Sequence, residues 1–252
     1  MMGLRFLVLV LVLSSCRTTS PVSSNIISNA SATIPAHAHN DYRNEQPLVE
    51  ALSLGFKSIE VDIHLIDDEL YVSHNTPFAL KKEKTLEAMY LEPLSKADFI
   101  QDPLILLIDV KTDALETYDK LKEVLGQFKN ERIEYVISGN RAIAQMLDDP
   151  SRLMSIDGRP EDIGEQFPSD YMPLISQNYN KFFSNRDPSK IDLKEKEAFQ
   201  KLVNEVHQQG KIIRLWATPD HPEMWEYLKA LGVDLINTDK IQEFANYNKS
   251  DF

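Results

Sequence analysis

Two carboxylates, Glu60 and Asp62, stand two residues apart in the apolar run Ile59-Glu60-Val61-Asp62-Ile63, with His37 and His39 before them and His74 after. On a β-strand, residues i and i+2 point to the same side, so both carboxylates share one face. Two like charges on a buried face repel and lose hydration unless a cation lies between them. The flanking histidines add what a carboxylate–metal site lacks, a group that exchanges a proton near neutral pH. A hydrolytic site built on a hard metal is the chemistry this pattern points to. The alternative is a strand whose acids face water and whose histidines are scattered.

The elements that must hold these residues alternate along the chain. Strand patterns fall over 33–39, 57–63, 69–73, 104–110, 133–138, 153–156, 174–176, 211–217 and 234–237. Helical spacing of apolar residues falls over 47–54, 114–128, 139–148, 193–209 and 222–231, with Gly55, Gly210 and Gly232 as stops. Strand–helix alternation implies parallel βαβ units, and eight strands close into a (β/α)8 TIM barrel with its site at the C-terminal strand ends. His39, Glu60, Asp62, His74, Asp109, Ser138, Asp157, Trp216, Thr238 and Asp239 fall at such ends. An open doubly wound sheet would gather its site at one crevice instead. The spread of candidates over many strand ends favours a single-domain α/β barrel.

Composition narrows the function. The chain has 252 residues, 27 Lys+Arg against 39 Asp+Glu and a formal charge of -12, which argues against nucleic acid as partner. No GxGxxG or GxxxxGK[ST] string is present, so no nucleotide cradle is indicated. At the N-terminus, Arg5, the apolar run 6–13 and Leu13-Ser14-Ser15-Cys16 read as a bacterial lipoprotein signal over 1–15. Cys16 would carry the lipid and 16–32 would form a polar tether, leaving the barrel to 33–252. The expectation is an exported protein held at a cell-envelope membrane by an N-terminal lipid anchor.

The strings His39-Asn40-Asp41-Tyr42, Ser58-Ile59-Glu60-Val61-Asp62, Leu70-Tyr71-Val72-Ser73-His74, Ile108-Asp109-Val110-Lys111 and Leu215-Trp216, with the ending 232–239, occur in a telling order. They resemble the superfamily of phosphatidylinositol-specific phospholipases C and glycerophosphodiester phosphodiesterases over about residues 34–240, most closely a bacterial and fungal branch with His-x-His-Asn-Asp-Tyr. The resemblance implies a TIM barrel, one divalent cation (Ca2+ or Mg2+) and two catalytic histidines, His39 and His74. It places Glu60, Asp62, Asp109 and Asn40 on the metal and Lys111 near the phosphate. His37 is the other choice for the first histidine; His39 is preferred because it forms the His-Asn pair, leaving His37 as a neighbour of the substrate site.

The pattern departs from the phosphodiesterases where they have His-Arg, because Asn40 follows His39 and a phosphate-binding arginine is missing there. Asp109 is also one methylene shorter than their usual glutamate. The implied activity is hydrolysis of a phosphodiester, a glycerophosphodiester or a phospholipid headgroup, by histidine acid–base catalysis. The competing readings are a non-catalytic lipoprotein that binds phosphate or polyol on a retained barrel, and a structural lipoprotein.

The remaining residues have plainer expectations. Trp216 either lines the pocket and stacks on a headgroup or packs in the core. His64 is expected at the end of its strand, facing away from the site, and His207 and His221 on the surface or at a cap. Lys81–Lys84 reads as a solvated loop, and 178–194 as either a lid or a packed loop.

Overall fold

The structure, a computed structural model, describes residues 34–96, 103–164 and 167–250. The signal, lipidation and tether assignments of residues 1–32 therefore lie outside the described residues.

Nine strands form one sheet: β1 (Ile34–Ala38), β2 (Phe56–Ile66), β3 (Glu69–Val72), β4 (Leu104–Val110), β5 (Ile133–Gly139), β6 (Ser155–Gly158), β7 (Leu174–Asn178), β8 (Ile212–Trp216) and β9 (Leu235–Thr238). Their order is β1-β9-β8-β7-β6-β5-β4-β2-β3, and β1 also pairs with β2. That extra pairing closes all strands except β3 into a parallel barrel. Among the described residues seven α-helices accompany it: α1 (Val49–Ser53), α2 (Glu92–Ser95), α3 (Ala114–Gln127), α4 (Ile143–Asp148), α5 (Leu193–Gln208), α6 (Pro222–Ala230) and α7 (Ile241–Ser250). Local chemistry sets several ends. The Asp113 carboxylate accepts the Leu115 and Glu116 N–H groups at 2.9 and 3.1 Å to open α3, and Asp192 accepts Lys194 N–H at 2.8 Å to open α5.

Two apolar clusters divide the interior. The large one fills the space between strands and helices; Phe56, Trp225, Phe244 and Leu228 are all fully buried there. The small one, Ile105, Leu107, Val136, Leu174 and Leu235 with Ile212, forms the floor of the barrel. Strand alternation then places Asp109, Ser138, Ser176, Arg214 and Asn237 two residues further along, so the upper barrel is polar. Register sets their levels: Asp62 lies opposite Asp109, and Asp109 opposite Ser138.

Three elements differ from the sequence reading. β3 is not a barrel stave; it folds back antiparallel on the last four residues of β2, pairing Ile63 with Val72 and Ile66 with Glu69. β2 accordingly runs on to Ile66, which leaves His64 buried inside the strand, its Nε2 3.4 Å from the His74 carbonyl, rather than at a strand end. β6 begins at Ser155, so Asp157 lies within the strand and is fully buried. The 178–194 segment takes the packed alternative. Phe183 is buried against Tyr179 and Phe199, with ring centroids 4.9 and 5.2 Å away.

The end of β5 shows how tightly the barrel mouth is built. Gly139 has φ +67°, and a Cβ there would fall 2.1 Å from Asp109 Oδ1 and 2.4 Å from the Val110 carbonyl oxygen. Gly139→Ala should therefore lower stability by about 2 kcal/mol through backbone strain and displacement of Asp109. Urea unfolding checks this, and an unchanged midpoint would contradict the close approach.

Candidate active site

The upper barrel opens into a cavity of ≈ 470 Å³. His39, Asn40, Glu60, Asp62, His74, Asp109, Lys111 and Trp216 all line it, so eight of the nine cavity candidates read from the sequence come together. The ninth, His37, is fully buried behind them. Trp216 is partly exposed at the rim and belongs to the pocket.

Glu60, Asp62 and Asp109 each present an oxygen within 4.8 Å of the others, a spacing that suits a cation. Asp62 Oδ2 is crowded: it accepts from His74 Nδ1 at 2.7 Å and lies 2.8 Å from the Tyr42 hydroxyl and 3.3 Å from Lys111 Nζ. Asp62 Oδ1 is buried with no hydrogen-bond partner among the described residues. An orphaned carboxylate oxygen in a cluster of acids is what a bound cation would satisfy, so these residues fit one. Burial pushes the Asp109 carboxyl above its ordinary value despite Lys111 Nζ at 2.9 Å.

Asn40 reaches the site through backbone that few other residues adopt. Its φ of +50° is left-handed, a conformation asparagine tolerates. The loop is pinned by Asp41, whose buried carboxylate accepts Leu48 N–H at 2.6 Å and the Tyr90 hydroxyl at 2.9 Å. The Tyr42 hydroxyl lies 2.6 Å from Asn40 Oδ1 as well as 2.8 Å from Asp62, and its single proton serves one acceptor at a time.

The histidines differ in kind. His39 Nδ1 pairs with Asp239 at 2.8 Å, and its Nε2 lies 3.6 Å from Glu60 Oε1. Burial works against charging His39, but the Asp239 hydrogen bond and the Glu60 charge outweigh it and raise its pKa. The His39 hydrogen bond in turn holds Asp239 below the ordinary carboxylate value. His74 is half exposed, anchored only through Nδ1. His37 is wedged between Ser58 Oγ at 2.7 Å and Glu60 Oε2 at 2.8 Å, and burial with the Arg214 guanidinium pushes its pKa down to about 4. It is a neutral structural imidazole, not a group open to substrate.

Arg214 was not singled out from the sequence, and the upper barrel is organised around it. Its Nη1 donates to Glu60 Oε2 at 2.5 Å and touches His37 Nε2 at 2.5 Å, while Nε donates to Ser176 Oγ at 3.1 Å. Its Nη2 lies 3.8 Å from Asp157. Burial alone would push the Glu60 carboxyl up; Arg214 and His37 outweigh it and hold Glu60 well below the usual range. Arg159 also lines the cavity, with Nη1 2.9 Å from Asp157 Oδ2 and Nη2 donating to Ser138 Oγ at 3.2 Å. The signal for Arg214 was its even spacing with Ile212 and Trp216, which puts a cation on the inner face of a barrel strand. Asp239 was noted as a strand-end acid without its partner, His39.

The fold and the sequence both have counterparts. Residues 25–101 match the model of the AIM6-like phosphodiesterase domain. An altered inheritance of mitochondria protein 6 homolog from Arthroderma benhamiae is 26% identical over 264 residues, covering 85% of this chain and 83% of that one. The protein of the same name from Eremothecium gossypii is 26% identical, covering 84% and 68%. The structure is similar to that of a glycerophosphodiester phosphodiesterase from Parabacteroides distasonis, with a TM-score of 0.60, 17% identity and coverage of 86% and 97%.

The family model covers residues 25–101, under a third of the chain, and the structural likeness shows the shared barrel fold.

The same comparisons correct the expectation about the N-terminus. The relatives are fungal proteins, which lends no support to a bacterial exported lipoprotein, to lipid on Cys16 or to an envelope membrane as partner and location. Among the described residues, no helix is long and apolar enough to cross a membrane.

Two outcomes follow from these pairings. The His39–Asp239 pair contributes fully between the ordinary Asp and His values, 3.8 and 6.5, and fades as pH falls through the lowered Asp239 value or rises through the raised His39 value. Asp239→Asn should then lower the His39 pKa, read by NMR of the imidazole; an unmoved titration would dissolve the pair. Arg214→Met should cost about 3–5 kcal/mol in urea unfolding, because it leaves Glu60 buried without its cation.

Proposed function

We propose that this chain is a phosphodiesterase that cleaves a glycerophosphodiester or phospholipid headgroup with a divalent cation, Ca2+ or Mg2+, held by Glu60, Asp62, Asp109 and Asn40. The observation that carries the reading is the convergence of two histidines, three acids and Lys111 on one cavity of a phosphodiesterase fold. When bound, the cation supplies positive charge against a phosphate oxygen.

The chain's own groups divide the proton work. His74 Nδ1–H donates to Asp62, which leaves Nε2 as the basic nitrogen facing the cavity and solvent, suited to take the proton of an attacking hydroxyl. His39, whose protonated form Asp239 and Glu60 favour against burial, is suited to hand a proton to the leaving alkoxide. Lys111 and Arg159 offer N–H donors to the charge that builds on the phosphate in the transition state. Arg159 comes from the β6 end of the barrel and offers a guanidinium that the position after His39 lacks. The attacking hydroxyl is that of water or of the substrate itself.

Hydrolysis of bis(p-nitrophenyl) phosphate, then of a panel of glycerophosphodiesters, phosphoinositides and lysophospholipids, with and without EDTA, tests the reading. Turnover should disappear with EDTA and return with excess cation. His74→Ala should retain the cation and slow turnover by about 10²–10⁴-fold. Cation binding without turnover on any diester would leave the non-catalytic binding reading in its place.

A further inference from the structure

Lys111 follows β4, and its backbone N–H donates to the Ile63 carbonyl at 2.9 Å, so its Cα is fixed against β2. Its ammonium lies 2.9 Å from Asp109 Oδ2 and 3.3 Å from Asp62 Oδ2, two of the three acids that would hold the cation. Glu60 has its own counter-charge in Arg214, fully buried and held by four other side chains. Among the described residues Lys111 has no comparable cage: its ammonium contacts only the two aspartates there, and its side chain borders the cavity. The site thus contains one fixed cation and one on a flexible four-carbon stem.

A divalent cation bound to Asp62 and Asp109 takes their oxygens at about 2.0–2.6 Å. An ammonium hydrogen-bonded to the same oxygens would lie only a few ångströms from it, a like-charge contact in a partly buried site. The stem lets the ammonium turn away while the backbone stays in place. The direction open to it is the cavity, where the proposed substrate's phosphate would sit.

Resting on the proposed function, we infer that Lys111 is an internal counter-cation of the acid cluster that the divalent cation displaces, its ammonium balancing the acids until the cation arrives.

The test is calorimetric titration of the full chain with Ca2+ and with Mg2+, together with a crystal structure grown with Mn2+. Lys111→Met should bind the cation about tenfold more tightly than wild type, since no ammonium has to be moved. Lys120→Met, which removes a lysine paired with Asp68 outside the cavity, should leave the affinity unchanged. In the Mn2+ structure the Lys111 Nζ should have left both aspartates. Cation binding with Lys111→Met no tighter than wild type, or with Nζ still paired to Asp109, overturns the displacement and leaves the proposed function standing. No cation bound by wild type at all removes both.

Discussion

The pairing of Arg214 with Glu60 is the interaction on which the barrel mouth depends. Both side chains are almost fully buried, where a lone charge of either sign is costly. Each is tolerated because the other is there, and because His37, Ser176, Asn237 and Asp157 take up the remaining donors and acceptors. The apolar floor of the barrel is small, so cohesion of the fold falls to the strand–helix layer outside. The upper barrel is thereby released from packing duty and can be filled with charge. That arrangement presents three acids to one cavity without their mutual repulsion opening the mouth.

Much of this was legible because barrel strands alternate. Glu60 and Asp62 share a face by spacing alone, while Asp109 read as a strand-end acid and joined them through the family resemblance. The helices around the barrel were legible from apolar spacing and glycine stops. What stayed hidden depends on register and on partners far apart in the chain. Arg214 and Glu60 are 154 residues apart, and His39 and Asp239 are 200 apart; no local pattern announces such pairs. A lone arginine in an apolar strand reads as easily as a solvent-facing edge residue. The start of β6 was misplaced because Leu153 and Met154 look like strand residues, and moving it carried Asp157 inside. The bacterial lipoprotein reading came from the apolar run 6–13 and Leu13-Ser14-Ser15-Cys16, and similarity to fungal proteins over most of the chain overrode it.

The departures from the phosphodiesterase pattern make sense together. Asn40 replaces a guanidinium next to His39 with a neutral amide whose oxygen faces Tyr42 and, through it, Asp62. Positive charge is instead drawn from three other strands, as Lys111 beyond β4, Arg159 beyond β6 and Arg214 in β8. The shorter Asp109 side chain is matched by the missing Cβ of Gly139, which lets its carboxylate lie close over the neighbouring strand. The two histidines are handled unequally: His39 is clamped by Asp239, His74 loosely held.

That looseness traces to the long strand β2. Its 11 residues serve two structures, the barrel over the first half and a two-stranded arm with β3 over the second. The arm's ladder is continued by the Ser73 N–H bond to the Asp62 carbonyl at 3.1 Å, so an acid of the cluster and a candidate catalytic histidine are tied by one local hairpin. Asp62 and His74 are thus joined within one hairpin, while Glu60, two residues earlier, is held from β8 by Arg214. The spacing of this acid and this histidine is therefore set by one hairpin rather than by closure of the barrel.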